Sequence, residues 1–210
     1  MVEYKYYPLT ANIEYQPVIC VEGFIAPEDL NRLKEQLKIT PTTAALVGND
    51  VDDIPMTDAE FEEKRIAAHR IRKSNVSFLG GSEWNWLYDK LVLAVNHANS
   101  TNYHKTLYGI TPLQYSEYDS KYNGFYGPHL DAYPRIKDGM YRSLSFSLQL
   151  TPENEYEGGD LKIFNDNIVY MANKKIGSIT FFDSTSLHEV TPVTSGFRKS
   201  VVGWVLGPRV

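Results

Sequence analysis

The segment "SLSFSLQL" (143–150) constrains this chain more than any other. Its residues alternate without exception. Leu144, Phe146, Leu148 and Leu150 fall on one side of an extended chain, and Ser143, Ser145, Ser147 and Gln149 fall on the other. A helix would scatter both sets around its circumference, so the pattern predicts a strand with one apolar face and one small, polar face. A strand lining a solid core rarely turns three serines and a glutamine inward, whereas a strand lining a ligand cavity does. "GGDLKIF", "IGSITFF", "HEVTPV" and "RKSVVGWVL" follow as further short strands between Gly, Pro, Asn and Asp turns. Runs of short strands at such spacing indicate a sandwich or jelly roll.

The first half reads differently. "QPVICVEGFI" (16–25) is a strand by pattern, and "APEDLNRLKEQLKI" is a short helix with acids early and lysines late, as the helix dipole favours. Residues 40–56 carry turn formers and acids and read as an exposed loop. "TDAEFEEKRIAAHRIRK" opens with Thr57 and Glu60 at capping-box spacing and reads as a second, more polar helix. In "SEWNWLYDKLVLAVNHAN", Trp84, Leu87, Leu91, Val95 and Ala98 recur at three- and four-residue steps and form one apolar stripe. No repeat, low-complexity tract or linker divides the 210 residues. The expectation is a single α+β domain, with residues 1–104 mainly helical support and lid and 105–210 a β core, the helices packing on one sheet.

A net charge of -5 without a basic stripe argues against nucleic acid as a partner. No apolar run approaches a membrane span, and "MVEYKYYPLT" lacks the apolar region of a secretory leader. The lone Cys20 has no disulfide partner within the chain. A reducing, cytoplasmic setting is therefore expected.

Within "FYGPHLDAYPR" (125–135), His129 and Asp131 stand two positions apart, so in an extended segment both side chains leave the same side. Imidazole plus carboxylate is two-thirds of the facial triad of non-haem Fe(II) oxygenases, which leaves coordination positions open for co-substrate and dioxygen. The third ligand should come from a distant strand. His69, His97 and His104 read as surface histidines, whereas His188 opens "HEVTPVTSGFR" directly after an apolar strand. Ten residues on, Arg198 could fix the far carboxylate of 2-oxoglutarate through a bidentate pair, beginning a new strand after a Pro192–Gly196 corner. Ser200, Val202 and Trp204 share its face: Ser200 can add a hydrogen bond and Trp204 a wall near the iron. Arg142 reads as a salt-bridge partner at a strand start, with a substrate contact as the alternative. The "GGDL" glycines read as a tight turn.

His129-x-Asp131, "EYEGGDLKIF", "SITFFDSTSLHEVTPVTSGFR" and "SVVGWVLG" together resemble the iron- and 2-oxoglutarate-dependent dioxygenases of the prolyl 4-hydroxylase type, over roughly residues 75–207. The resemblance implies a double-stranded β-helix, iron on His129, Asp131 and His188, and the 2-oxoglutarate carboxylate on Arg198. It also implies a tyrosine against 2-oxoglutarate. Tyr118 matches best, with Tyr115 and Tyr126 as alternatives, and Gln149 stands where some relatives place another co-substrate contact. The implied reaction is hydroxylation of a C–H bond with release of succinate and carbon dioxide; ascorbate is a further candidate cofactor whose requirement stays open at this point. A peptidyl proline, bound between the 40–56 and 119–125 loops, is the first substrate expected; a free amino acid or other small molecule is the alternative. Two rival classes remain at this point: a non-catalytic jelly-roll binding module and a cupin-like metal enzyme.

Overall fold

A computed structural model describes residues 15–45, 69–132 and 139–208. Among these residues the strands form two antiparallel sheets. The large sheet runs β1 (Val18–Val21), β12 (Ile179–Asp183), β8 (Met140–Gln149), β14 (Val193–Pro208), β6 (Leu113–Asp119), β4 (Asn75–Leu79) and β2 (Thr43–Ala44). Strands β5 (Gly109–Ile110) and β9 (Tyr156–Gly158) also pair with β14. The small sheet runs β11 (Ile168–Met171), β10 (Leu161–Asn165), β13 (Leu187–Val190), β7 (Phe125–His129) and β3 (Arg72–Lys73).

The alternation of "SLSFSLQL" sorts the interior into two compartments. On one face of β8, Leu144, Phe146 and Leu148 lie opposite Val205, Gly203 and Val201 of β14, and Phe146 lies opposite Phe181 of β12. This face packs against helices α1 (Pro27–Lys38) and α2 (Asn85–Ala98), burying Leu33 and Leu37 of the first and Leu87, Leu91, Val95 and Ala98 of the second. The predicted stripe is the buried face of α2; Trp84 belongs to a short 3-10 turn ahead of it. Burying each large apolar side chain here stabilises the fold by roughly 1.5–3 kcal/mol. The other face of β8 looks toward the small sheet, across a second core of Tyr118, Phe182 and Val193 from one sheet and Leu161, Ile163 and Val190 from the other.

Among the described residues the first half holds α1 and α2 and also supplies β1, within the strand read at 16–25, and β2 to β4 to the two sheets. Two boundaries need correction. Thr43–Ala44 of the predicted 40–56 loop pairs with β4, and residues 46–56 lie outside the described residues. Arg72–Lys73, expected at the end of the polar helix, pairs with β7, and residues 57–68 lie outside the described residues. The charge pattern misleads here because Arg72 is buried: its guanidinium donates to Ser74 and Ser116 and stacks over the Tyr126 ring. No helix among the described residues is long and apolar enough to cross a membrane.

Candidate metal centre

His129 ends β7 and lies directly opposite His188 of β13, so strand pairing alone brings two imidazoles together, with ring centroids 4.1 Å apart. Each ring is oriented by a backbone carbonyl two residues earlier. The Nδ1 of His129 lies 2.8 Å from the Gly127 oxygen and that of His188 lies 2.9 Å from the Ser186 oxygen. With Nδ1–H donating, both Nε2 lone pairs are left free to bind a metal. Asp131 completes the cluster, its Oδ1 3.7 Å from Nε2 of His129 and its Oδ2 3.4 Å from Nε2 of His188. One ligand atom from each residue lies within 4.8 Å of the others. His69, His97 and His104 take no part in this cluster, and the last two are exposed, as expected.

The electrostatics favour a cation. Burial together with the nearby His188 pushes His129 down to about 4, so its ring is neutral near pH 7. Burial opposes charge on Asp131, but the neighbouring His188 and His129 rings and the hydrogen bond from Ser145 outweigh it and hold the carboxyl well below the usual range. Burial also opposes charge on His188, yet neighbouring Asp131 raises its pKa. Two imidazoles and an ionised carboxylate, all largely buried, suit a divalent cation of intermediate hardness such as Fe(II).

Arg198 lies on the adjoining sheet, 4% exposed, opposite Tyr118 in the β14–β6 pairing. Its guanidinium lies over the Tyr118 ring at 5.5 Å and reaches Ser200 Oγ at 3.4 Å, and no carboxylate among the described residues pairs with it. A buried guanidinium without an anion is costly. The strand does not begin at Arg198. It begins at Val193, and Gly196 at φ 71° passes through the predicted corner without ending it. Gly159 of the "GGDL" turn is needed for a second reason: a Cβ there would lie 3.0 Å from Arg198 Cδ.

Of the tyrosines weighed for the co-substrate, Tyr118 lies beside Arg198. Tyr115 packs in the helix-side core and donates to Glu117 at 2.7 Å. Tyr126 instead stacks on His129, with centroids 3.5 Å apart. Gln149 lies opposite Ser200, and its amide nitrogen donates to the Thr151 carbonyl and the Tyr156 hydroxyl. Trp204 carries the Arg142 guanidinium 3.7 Å over its ring. The salt bridge expected of Arg142 is not formed among the described residues. Its Nε is buried without a hydrogen-bond partner, because β8 places it against an aromatic wall rather than at the surface. The 119–125 loop is pinned rather than loose: Asp119 caps its turn, and Val193 donates to Gly124.

Sequence reasoning passed over Ser184. It reads as one more turn former in "FFDSTSLHE", yet its carbonyl accepts from the backbone of Asp131 and Ala132 and its hydroxyl meets Ser145.

Comparison with known proteins agrees with this geometry. Residues 113–206 match the 2OG-Fe(II) oxygenase superfamily. The match contains all three candidate ligands and Arg198. A PKHD-type hydroxylase from a Synechococcus species is 46% identical over 83 residues, 39% of this chain and 36% of that relative. The chain thus spans little more than a third of the length of such curated relatives. Among solved structures, a prolyl hydroxylase from Trichoplax adhaerens, in complex with a hypoxia inducible factor oxygen degradation domain peptide fragment, superposes with a TM-score of 0.66. It is 16% identical, with 90% of this chain and 83% of that chain covered. The viral collagen prolyl hydroxylase of Paramecium Bursaria Chlorella virus-1, as its 2OG complex, gives 0.64 at 17% identity, over 94% and 99% of the two chains. The fold is therefore that of the prolyl hydroxylases, the jelly roll expected from the strand pattern.

Proposed function

We propose that this chain acts as one catalytic unit, a dioxygenase dependent on Fe(II) and 2-oxoglutarate that hydroxylates a C–H bond. The observation that carries the reading is the convergence of His129, Asp131 and His188 beside a buried guanidinium that lacks an anion. When bound, the metal and 2-oxoglutarate supply oxidation of a C–H bond by dioxygen, with succinate and carbon dioxide as co-products.

In this reading His129 and His188 offer Nε2 and Asp131 a carboxylate oxygen, leaving positions on the metal for small molecules. Arg198 receives the distal carboxylate of 2-oxoglutarate, Ser200 and Tyr118 complete its cradle, and Gln149 closes the deep end. Tyr126 packs against His129 and fixes the plane of that ring. Trp204 and Arg142 form the wall that meets the substrate.

The first substrate candidate is a prolyl side chain in a peptide, supported by likeness to hydroxylases of that kind. A carboxylate-bearing small molecule is the second reading, favoured by the unpartnered Arg142 Nε. The exposed Cys20 suits a reducing cytoplasm. The test is a screen of proline-containing peptides and free amino acids with Fe(II) and 2-oxoglutarate, scored by succinate release and by a mass gain of one oxygen atom. Substrate-dependent succinate that disappears in His129→Ala and Asp131→Ala is expected. Turnover retained by either variant overturns the ligand assignment.

A further inference from the structure

Asp131 is held by more than its neighbours in the metal cluster. Ser145 Oγ donates to its Oδ2 at 2.8 Å, and Ser184 Oγ lies 2.8 Å from Ser145 Oγ. Ser145 has one hydroxyl proton, and the ionised carboxylate takes it, so Ser184 must be the donor to Ser145. The result is a directed chain, Ser184 to Ser145 to Asp131, with all three residues buried. The backbone of Ser184 holds the other end of the same residue, because its carbonyl accepts from the N–H groups of Asp131 and Ala132 at 3.0 and 2.9 Å.

Ser184 also lies in the turn that leads from β12 into His188. Asp183 braces that turn by accepting from the Thr185 N–H and hydroxyl, and the Ser186 carbonyl orients the His188 ring. One short turn therefore sets the ligand from β13 and grips the ligand that follows β7.

We propose that Ser145 and Ser184 form a hydroxyl clamp that restricts Asp131 to a single metal bond and so keeps a coordination position open. The inference rests on the metal-centre reading above. A free carboxylate in a dry pocket can chelate a cation with both oxygens. Here both oxygens face a candidate ligand nitrogen, Oδ2 at 3.4 Å from His188 Nε2 and Oδ1 at 3.7 Å from His129 Nε2. Only Oδ2 also takes a charge-assisted hydrogen bond, strengthened by the hydroxyl behind it, which leaves Oδ1 the stronger donor to a metal. Neither serine would touch the metal, so both are positioning residues.

The test loads the metal-free protein with Mn(II) and measures the water-proton relaxation enhancement per bound ion, which counts exchangeable waters and needs no turnover. Three protein donors on a six-coordinate ion leave about three waters in the wild type. In Ser145→Ala the freed oxygen chelates and the enhancement falls by about a third, one water of roughly three. Ser184→Ala, which keeps the backbone grip, gives a smaller fall, and Ser145→Thr, which keeps the hydroxyl, restores the wild-type value. A merely structural role would lower the melting temperature but leave the enhancement per ion unchanged. Wild-type enhancement in both alanine variants, with Mn(II) still bound, overturns the clamp and leaves the metal centre standing. Failure of the wild type to bind Mn(II) overturns the metal centre and the clamp with it. If Ser145→Ala does not fold, Ser184→Ala decides.

Discussion

On β8, Ser145 and Phe146 are neighbours in sequence that live in different chemistries. Phe146 meets Phe181 and the helix-side core, where shape and apolar area are all that matter. Ser145, one residue earlier and pointing the other way, donates to the carboxylate of Asp131 in the candidate metal centre. The same division runs across the sheet, with Leu144 and Leu148 on one side and Ser147, Gln149, Ser200 and Arg198 on the other. Buried polar groups are tolerated on the site face because most are hydrogen-bonded; Arg142 Nε is an exception. One face supplies the larger apolar core, and the other carries the candidate site beside a smaller one.

Substitutions on the two faces should therefore separate stability from function. The largest effect is expected on the apolar face. Phe146→Ala should cost about 3–5 kcal/mol in denaturant unfolding, since it leaves a cavity between sheet and helices. The molecules that remain folded should bind metal and 2-oxoglutarate normally. Loss of binding in proportion to unfolded protein keeps the division, whereas loss in fully folded protein breaks it.

The site face should show the opposite. Arg198→Ala should raise the KM for 2-oxoglutarate on the order of 10- to 100-fold, equivalent to about 1.5–3 kcal/mol for charge-assisted hydrogen bonds. Its melting temperature should stay level or rise, because an unpaired buried charge is removed.

The smallest effect sharpens the boundary between the faces. Burial would raise the Asp183 carboxyl, but hydrogen bonds from Lys105 and Thr185 outweigh it and hold the group below its ordinary value. A carboxyl depressed in the folded state stabilises above its unfolded pKa of about 3.9, and that stabilisation is lost as pH falls through the lower folded value. Wild type should exceed Asp183→Asn by about 1.5 kcal/mol near neutrality, and the gap should close only in strong acid. Chemical denaturation across pH measures it, and a gap that opens as pH falls contradicts the sign.

The division itself could be read from "SLSFSLQL", because a period of two assigns every residue to a face before any partner is known. The α2 stripe was legible for the same reason, with its own period. His129 and Asp131 at their spacing say little by themselves. The candidate ligands became legible only with His188 and Arg198 after matching strand patterns, and the fold brings one ligand atom from each of the three within 4.8 Å of the others. Arg72 was not, since a cation among other charges looks solvated until the fold buries it between serines and Tyr126. Arg142 was misread because a salt bridge is the common fate of an arginine, and only the packing on Trp204 shows its Nε left alone. Ser184 carries no sequence signal beyond that of a turn, because its importance comes from the strand across from it.

The central claim is that His129, Asp131 and His188 gather one ferrous ion whose co-substrate is held by Arg198. Anaerobic addition of Fe(II) and then 2-oxoglutarate, followed by visible absorption spectroscopy, tests it most directly. The expected result is a metal-to-ligand charge-transfer band that needs both additions, is absent in His129→Ala, and requires more 2-oxoglutarate in Arg198→Ala. Metal uptake without the band, or an undiminished band in His129→Ala, would contradict the account.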